Sequence, residues 1–150
     1  MRPRTTLLAK AGAVVLALTL LAGTAEAASL FHSVKEPTVV KECGACHMVY
    51  PPALLPARSW AKILGSLGNH FGDDATLPDA TVAKILSFYK QNAGDAGKSN
   101  AWFMRGMKPA VTPERITKMP FWRAIHGGFP PMAFMRPQVK KAGNCIGCHG

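Results

Sequence analysis

The sequence predicts an all-α protein with long loops, and three observations predict it. Residues 59–72 and 78–94 each carry apolar side chains at helical spacing. No hairpin turn joins two alternating runs, so nothing reads as a pair of strands. One pattern, Cys-x-x-Cys-His, occurs twice, at Cys43, Cys46 and His47 and again at Cys145, Cys148 and His149, and the chain has no other cysteine.

The elements follow in order. Arg2, Arg4 and Lys10 precede an apolar run from Ala11 to Ala22, and Ala25-Glu26-Ala27 supplies an A-x-A cleavage site. That arrangement is a secretory signal over residues 1–27. About twelve apolar residues are too few for a membrane span, which needs roughly 20. The expected product is a soluble exported chain beginning at Ala28, with 150 − 27 = 123 residues and no membrane span. "SLFHSVKEPTVVKECGACH" predicts a short helix leading into the first Cys-x-x-Cys-His, and "YPPALLP" an extended, proline-punctuated loop. "SWAKILGSLGNHFG" predicts a helix with Ser59 as N-cap and Gly72 as its stop. Its stripe is Trp60, Ile63, Leu64, Leu67 and Phe71, and His70 shares that face. "PDATVAKILSFYKQNAG" predicts a second helix, capped by Asp79 and ended by Gly94, with Val82, Ile85, Leu86 and Tyr89 inward.

"GDAGKSN" reads as a linker, which places a boundary near Lys98 and divides the exported chain into 28–97 and 98–150. Beyond it Thr112-Pro113 predicts a helix start, with proline at the first helical position. "MPFWRAIHGG" predicts a short helix grouping Trp122, Ile125 and His126, ended by Gly127. "GFPPMAFMRPQ" is an irregular proline-rich loop, and Gln138 to Gly150 brings the second motif.

Charge changes at the same linker. Removing the leader takes away three basic residues and Glu26, so the formal charge falls from +10 to +8. From Ala28 to Gly97 six Lys/Arg balance six Asp/Glu, whereas from Lys98 onward nine Lys/Arg face only Glu114. Such a surface suits an acidic protein or membrane surface, or is simply a solvated face. Nucleic acid fits badly with export.

Four cysteines in an exported chain suggest two disulfides, but bonds within each motif would close tiny loops that stabilise little. Two Cys-x-x-Cys knuckles also suggest a Cys₄ zinc site, although Cys46 and Cys145 lie 99 positions apart. A thioredoxin-like pair requires a following helix, which Pro51-Pro52 disfavours. Covalent haem c accounts for the whole pattern. Two thiols add to the two vinyl groups of the porphyrin, and the adjoining histidine becomes the proximal iron ligand. The expectation is two haem c groups, on Cys43 and Cys46 with His47 and on Cys145 and Cys148 with His149. They fill much of the interior, offset positive charge with two carboxylates each, and anchor a chain end that would otherwise fray.

The opposite face of each iron decides the chemistry. His70 and His126 are the leading candidates, His32 is left over near the start of the exported chain, and Met132 is the main rival to His126. Met104, Met107, Met132 and Met135 all fall in loops, where methionine otherwise fills gaps.

Several stretches, "ECGACHMVYPPALLPARSW", "NHFG", "ERITKMPFW..IH" and "NCIGCH", resemble in order the small periplasmic dihaem cytochromes c that serve an oxygen-binding monohaem cytochrome, the sphaeroides haem protein. The resemblance implies a cytochrome-c-like helical N-terminal haem domain and a small, loop-rich helical C-terminal one. It implies histidine on both faces of each haem, His47 with His70 and His149 with His126. It also implies electron transfer to the monohaem partner, with a membrane b-type cytochrome as donor. Family members continue for a short polar tail after the second motif, whereas this sequence reads to Gly150.

The leading expectation is therefore a periplasmic one-electron carrier and not an enzyme. The alternatives are a gas-binding or peroxide-reducing protein with one open or Met-ligated iron, or a haem subunit of a larger redox complex.

Overall fold

The computed structural model describes residues 34–97 and 101–150. The leader, His32 and the residue at the expected boundary, Lys98, lie outside the described residues. Among those described, the chain forms five α-helices and short 3₁₀ turns, and the extended pairing is an isolated bridge between His70 and Asp73. The all-α expectation holds.

Helix α1, Pro37–Cys43, starts with proline at its first turn, where a missing N–H costs nothing. The Glu36 carboxylate accepts from the Val39 N–H at 2.8 Å and caps it. The helix ends at Gly44, so Cys43 is its last residue.

"YPPALLP" differs from expectation. It is a 3₁₀ turn, Pro52–Leu54, and residues 51–56 are all buried. A loop survives in a core only if its backbone polar groups are satisfied. Three prolines remove three donors, and the carbonyls find partners. Tyr50 O accepts from the Tyr89 hydroxyl at 3.0 Å, Pro52 O from Trp60 Nε1 at 2.7 Å, and Leu55 O from the Gly94 N–H at 3.0 Å.

Helix α2, Ala57–Leu64, begins before Ser59 and stops well short of Gly72. Ser59 is not its cap: it is fully buried, and its hydroxyl lacks a hydrogen-bond partner. The Ala57 N–H donates instead to the Asp95 carboxylate at 2.7 Å, a cap 38 residues away that local sequence cannot reveal. Gly65 ends the helix, and a 3₁₀ turn, Leu67–Asn69, follows. The predicted stripe divides accordingly: Trp60, Ile63 and Leu64 are buried, while Phe71 is exposed with φ +60°.

Helix α3, Asp79–Asn92, matches its expected span closely, although Pro78 occupies the cap position. Ile85 and Tyr89 are buried, with Val82 and Leu86 packed beside them. α3 lies against α2, where Trp60 and Tyr89 meet at 4.3 Å between ring centroids.

After the undescribed residues 98–100, a 3₁₀ turn, Ala101–Met104, buries Phe103. Phe103 lies 4.9 Å from Phe121 in an edge-on arrangement. The helix expected at Thr112-Pro113 does not form. The Arg58 guanidinium donates to Val111 O at 2.8 Å and Lys108 O at 3.3 Å, holding residues 108–111 as irregular chain. A 3₁₀ turn, Ile116–Lys118, follows. Helix α4, Pro120–His126, then starts on proline; it ends at Gly127, as expected. The proline-rich loop contains a 3₁₀ turn, Pro131–Phe134, and α5, Ile146–His149, closes the chain. One buried cluster takes in Val39, Leu55, Trp60, Ile85 and Tyr89 together with Phe103, Met119 and Phe121.

Candidate metal centres

All four cysteines are free thiols. Among the described residues no group of three or more His, Cys, Asp and Glu converges on one point. The donors therefore do not assemble as disulfides or as a Cys₄ site. They fall into two groups, each with two thiols and two facing imidazoles.

In the first group α1 delivers Cys43, and the turn after it carries Cys46 and His47. His47 Nδ1 lies 2.6 Å from Met48 O. A carbonyl only accepts, so Nδ1 carries the proton and Nε2 keeps its lone pair for a metal. His70 lies opposite, with ring centroids 6.1 Å apart and ring planes 21° apart. Two imidazoles sharing one metal at about 2 Å per bond have ring centres roughly 6 Å apart, allowing about 1 Å from each nitrogen to its ring centre. The gap fits an iron.

The broken helix is what places His70. It is held by a two-way bridge to Asp73, with bonds of 2.7 and 3.3 Å. Gly72, with φ +111°, makes the turn tight, and its N–H donates to Asn69 Oδ1 at 3.2 Å. Burial, then the neighbouring His47, lowers the His70 pKa against the opposing pull of Asp73, favouring the neutral ring a metal requires. The Arg115 guanidinium lies 4.3 Å over the Phe71 ring next to it, and both residues line a cleft of about 260 Å³ with His70. Sequence reading did not find Arg115, since nothing local links it to His70.

In the second group α5 carries Cys148 and His149, with Cys145 just before it. Burial pushes the Cys145 thiol up to about 11. Gly147 is required by close approach: a Cβ there would lie 2.7 Å from Gln138 O and 2.9 Å from Val139 Cα. Asn144 Nδ2 donates to Val139 O at 3.0 Å and secures the same contact. Helix α4 delivers His126, whose Nδ1 lies 3.1 Å from Trp122 O, again leaving Nε2 for a metal. Its ring stacks on Trp122 at 4.7 Å. His126 and His149 are 6.1 Å apart between centroids, with planes 84° apart.

Of the rival ligands, Met132 and Met135 are 77% and 74% exposed, while Met104 and Met107 pack against the core. Ile125, expected beside His126 on one face, is instead exposed, as are Phe129 and Ile146. An apolar collar around two imidazoles suits a flat, largely apolar macrocycle. The residues of both groups therefore fit haem.

Tyr50 belongs to neither group by motif, yet it reaches from the first to the segment that leads into the second. Its ring lies 5.2 Å from that of His47, and its hydroxyl donates to Gly143 O at 2.8 Å.

Comparison with known proteins places the chain in the dihaem cytochrome c family. The sequence model of the dihaem cytochrome c family matches residues 39–150. A dihaem cytochrome c from Rhodobacter sphaeroides is 38% identical, with a TM-score of 0.70, and the alignment covers 77% of this chain and 90% of that one. A dihaem cytochrome type c from Shewanella baltica is 33% identical, with a TM-score of 0.59, covering 75% of this chain and 79% of that one. Among curated proteins no match was found.

Proposed function

Because this chain belongs to the dihaem cytochrome c family, which implies two haem groups, we propose that it is a one-electron carrier with two covalently attached, bis-histidine haems. The observation that carries this reading is the pair of facing imidazoles, both at 6.1 Å, each pair beside its own Cys-x-x-Cys. Cys43 and Cys46 would hold one haem, with His47 and His70 as ligands to its iron. Cys145 and Cys148 would hold the other, with His149 and His126.

Haem iron supplies a centre that gains and loses one electron. The protein's part would be to offer two histidines to each iron, leaving no place on the metal for substrate. Met48 O and Trp122 O fix the ring orientation of His47 and His126 and raise their basicity as ligands. Two histidines, rather than histidine with methionine, keep the potential low.

The reading places the protein in the periplasm, exported by the leader and attached to haem there. No helix among the described residues is long and apolar enough to cross a membrane. The acceptor is a monohaem oxygen-binding cytochrome and the donor a membrane b-type cytochrome, as the family resemblance suggests. Spectropotentiometric titration of the haem-loaded protein tests the reading. Two one-electron steps are expected, with low-spin spectra throughout. A high-spin band in either oxidation state, or turnover of peroxide, would replace the carrier with a catalytic or gas-binding protein.

A further inference from the structure

Tyr50 sits three residues beyond His47 and makes three separate attachments. Its ring packs near the His47 imidazole, centroids 5.2 Å apart and planes 42° apart. Its backbone carbonyl accepts from the Tyr89 hydroxyl at 3.0 Å, and Tyr89 is only 3% exposed within the core. Its hydroxyl donates to Gly143 O at 2.8 Å, across 93 residues of sequence. Gly143 lies two residues before Cys145, and a Cβ there would lie 3.3 Å from the Tyr50 hydroxyl. A cleft of about 210 Å³ beside this contact has His47, Met48 and Tyr50 on one side and Val139, Lys140 and Asn144 on the other.

We infer that Tyr50 is the positioning residue that sets the two haems relative to one another. The inference rests on the dihaem reading above. The chain of contacts runs from the buried face of α3 through Tyr89 to the Tyr50 backbone, and from the Tyr50 hydroxyl to the segment bearing Cys145. It meets the first attachment site on the way, so one side chain fixes the second site against the first. A phenol is well suited to such a span, because its ring is rigid, with two rotatable bonds, and its hydroxyl adds a directional bond at the far end. Electron transfer falls steeply with separation, and a carrier that passes an electron from one iron to the other needs that separation held constant. The exchange is internally balanced, since one iron is oxidised as the other is reduced.

The test uses the full-length, haem-loaded protein with Tyr50→Phe and Tyr50→Ala. Two readouts report haem–haem geometry: the two-signed circular dichroism couplet in the Soret region and the gap between the two reduction potentials. Tyr50→Phe keeps the ring and loses the Gly143 bond, so both readouts should shift; Tyr50→Ala should shift them further. An unchanged couplet and gap, with only a lower melting temperature, would make Tyr50 a structural residue and overturn the inference. If Tyr50→Ala fails to load haem, Tyr50→Phe decides alone. Absorption spectra of the same samples separate the two readings. High-spin bands in the unsubstituted protein overturn bis-histidine ligation, while two haems of any spin state still give a couplet.

Discussion

The segments bearing His47 and His70 rest on the buried cluster. Val39 of α1 belongs to it, and Cys43, Val49, Tyr50 and Leu67 pack against it. Around His126 and His149, Met119 and Phe121 belong to the same cluster and Trp122 packs on it, but Ile125, Phe129, Met132, Met135 and Ile146 are exposed. The two sites contain the same chemical groups on different supports. The first is built onto a core made by the polypeptide. The second leaves more apolar side chains uncovered, and on the haem reading its cofactor would supply the cover that the polypeptide does not.

The difference is open to attack from either end. The largest expected effect is at Trp60, which packs on Tyr89 and donates to Pro52 O. Trp60→Ala should cost about 3–5 kcal/mol, a large part of the stability of a small domain. Denaturant melts should show a lower midpoint, with disorder reaching both sites because both touch this cluster. Replacing Cys145 and Cys148 together by serine should do less. The first haem and most helical dichroism should persist, while protease sensitivity rises beyond Gly127. Global unfolding of that variant would show that the second site supports the first.

How much of this was legible in the sequence depends on the range of the interactions involved. The cysteine–histidine motifs carry their chemistry in five residues, so both candidate haem sites could be proposed directly from the sequence. α3 and α4 were found because apolar residues at helical spacing and a closing glycine mark them locally. His70 was picked out for the wrong local reason. Its helix stops at Gly65, and a tight loop places the ring instead. The Ser59 cap failed because Asp95, distant in sequence, caps the helix at Ala57 instead, while beyond Pro113 the chain forms only a 3₁₀ turn, Ile116–Lys118. "YPPALLP" looks like surface loop until Trp60 and Tyr89 are seen to satisfy its carbonyls.

Ligand geometry sharpens the contrast further. If each histidine pair holds an iron, ring planes 21° apart at the first site and 84° apart at the second would split the iron d orbitals differently. Near-parallel rings separate the two π-type orbitals and give a rhombic low-spin spectrum. Near-perpendicular rings leave them almost degenerate and give a spectrum with a much larger maximum g value. Electron paramagnetic resonance of the oxidised protein should show one signal of each kind, and His126→Ala should remove the large-g signal. Two identical rhombic signals would contradict the geometric difference.

Charge differs between the halves as well, since nine Lys/Arg lie from Lys98 onward against one acidic residue, Glu114. If this face steers an acidic partner, raising salt shortens the screening length from about 10 Å at 0.1 M to about 3 Å at 1 M and should slow electron delivery. A rate independent of salt would remove steering.

The smallest expected effect is at Glu36. The Val39 N–H lowers the Glu36 carboxyl pKa most, with help from Lys84 and against the effect of burial. A carboxylate depressed in the folded state stabilises above its ordinary value, and that contribution is lost as pH falls through the depressed one. Glu36→Gln should therefore lower the melting temperature slightly at neutral pH and flatten its fall in acid. An equal slope in both proteins would refute the cap's role.

The absorption spectrum of the fully reduced, haem-loaded protein, taken before and after adding carbon monoxide, tests double histidine ligation most directly. With His70 and His126 held on their irons, the spectrum should not change. A Soret shift at either haem would mean a labile or open sixth position and would contradict the account of a closed, purely electron-carrying pair.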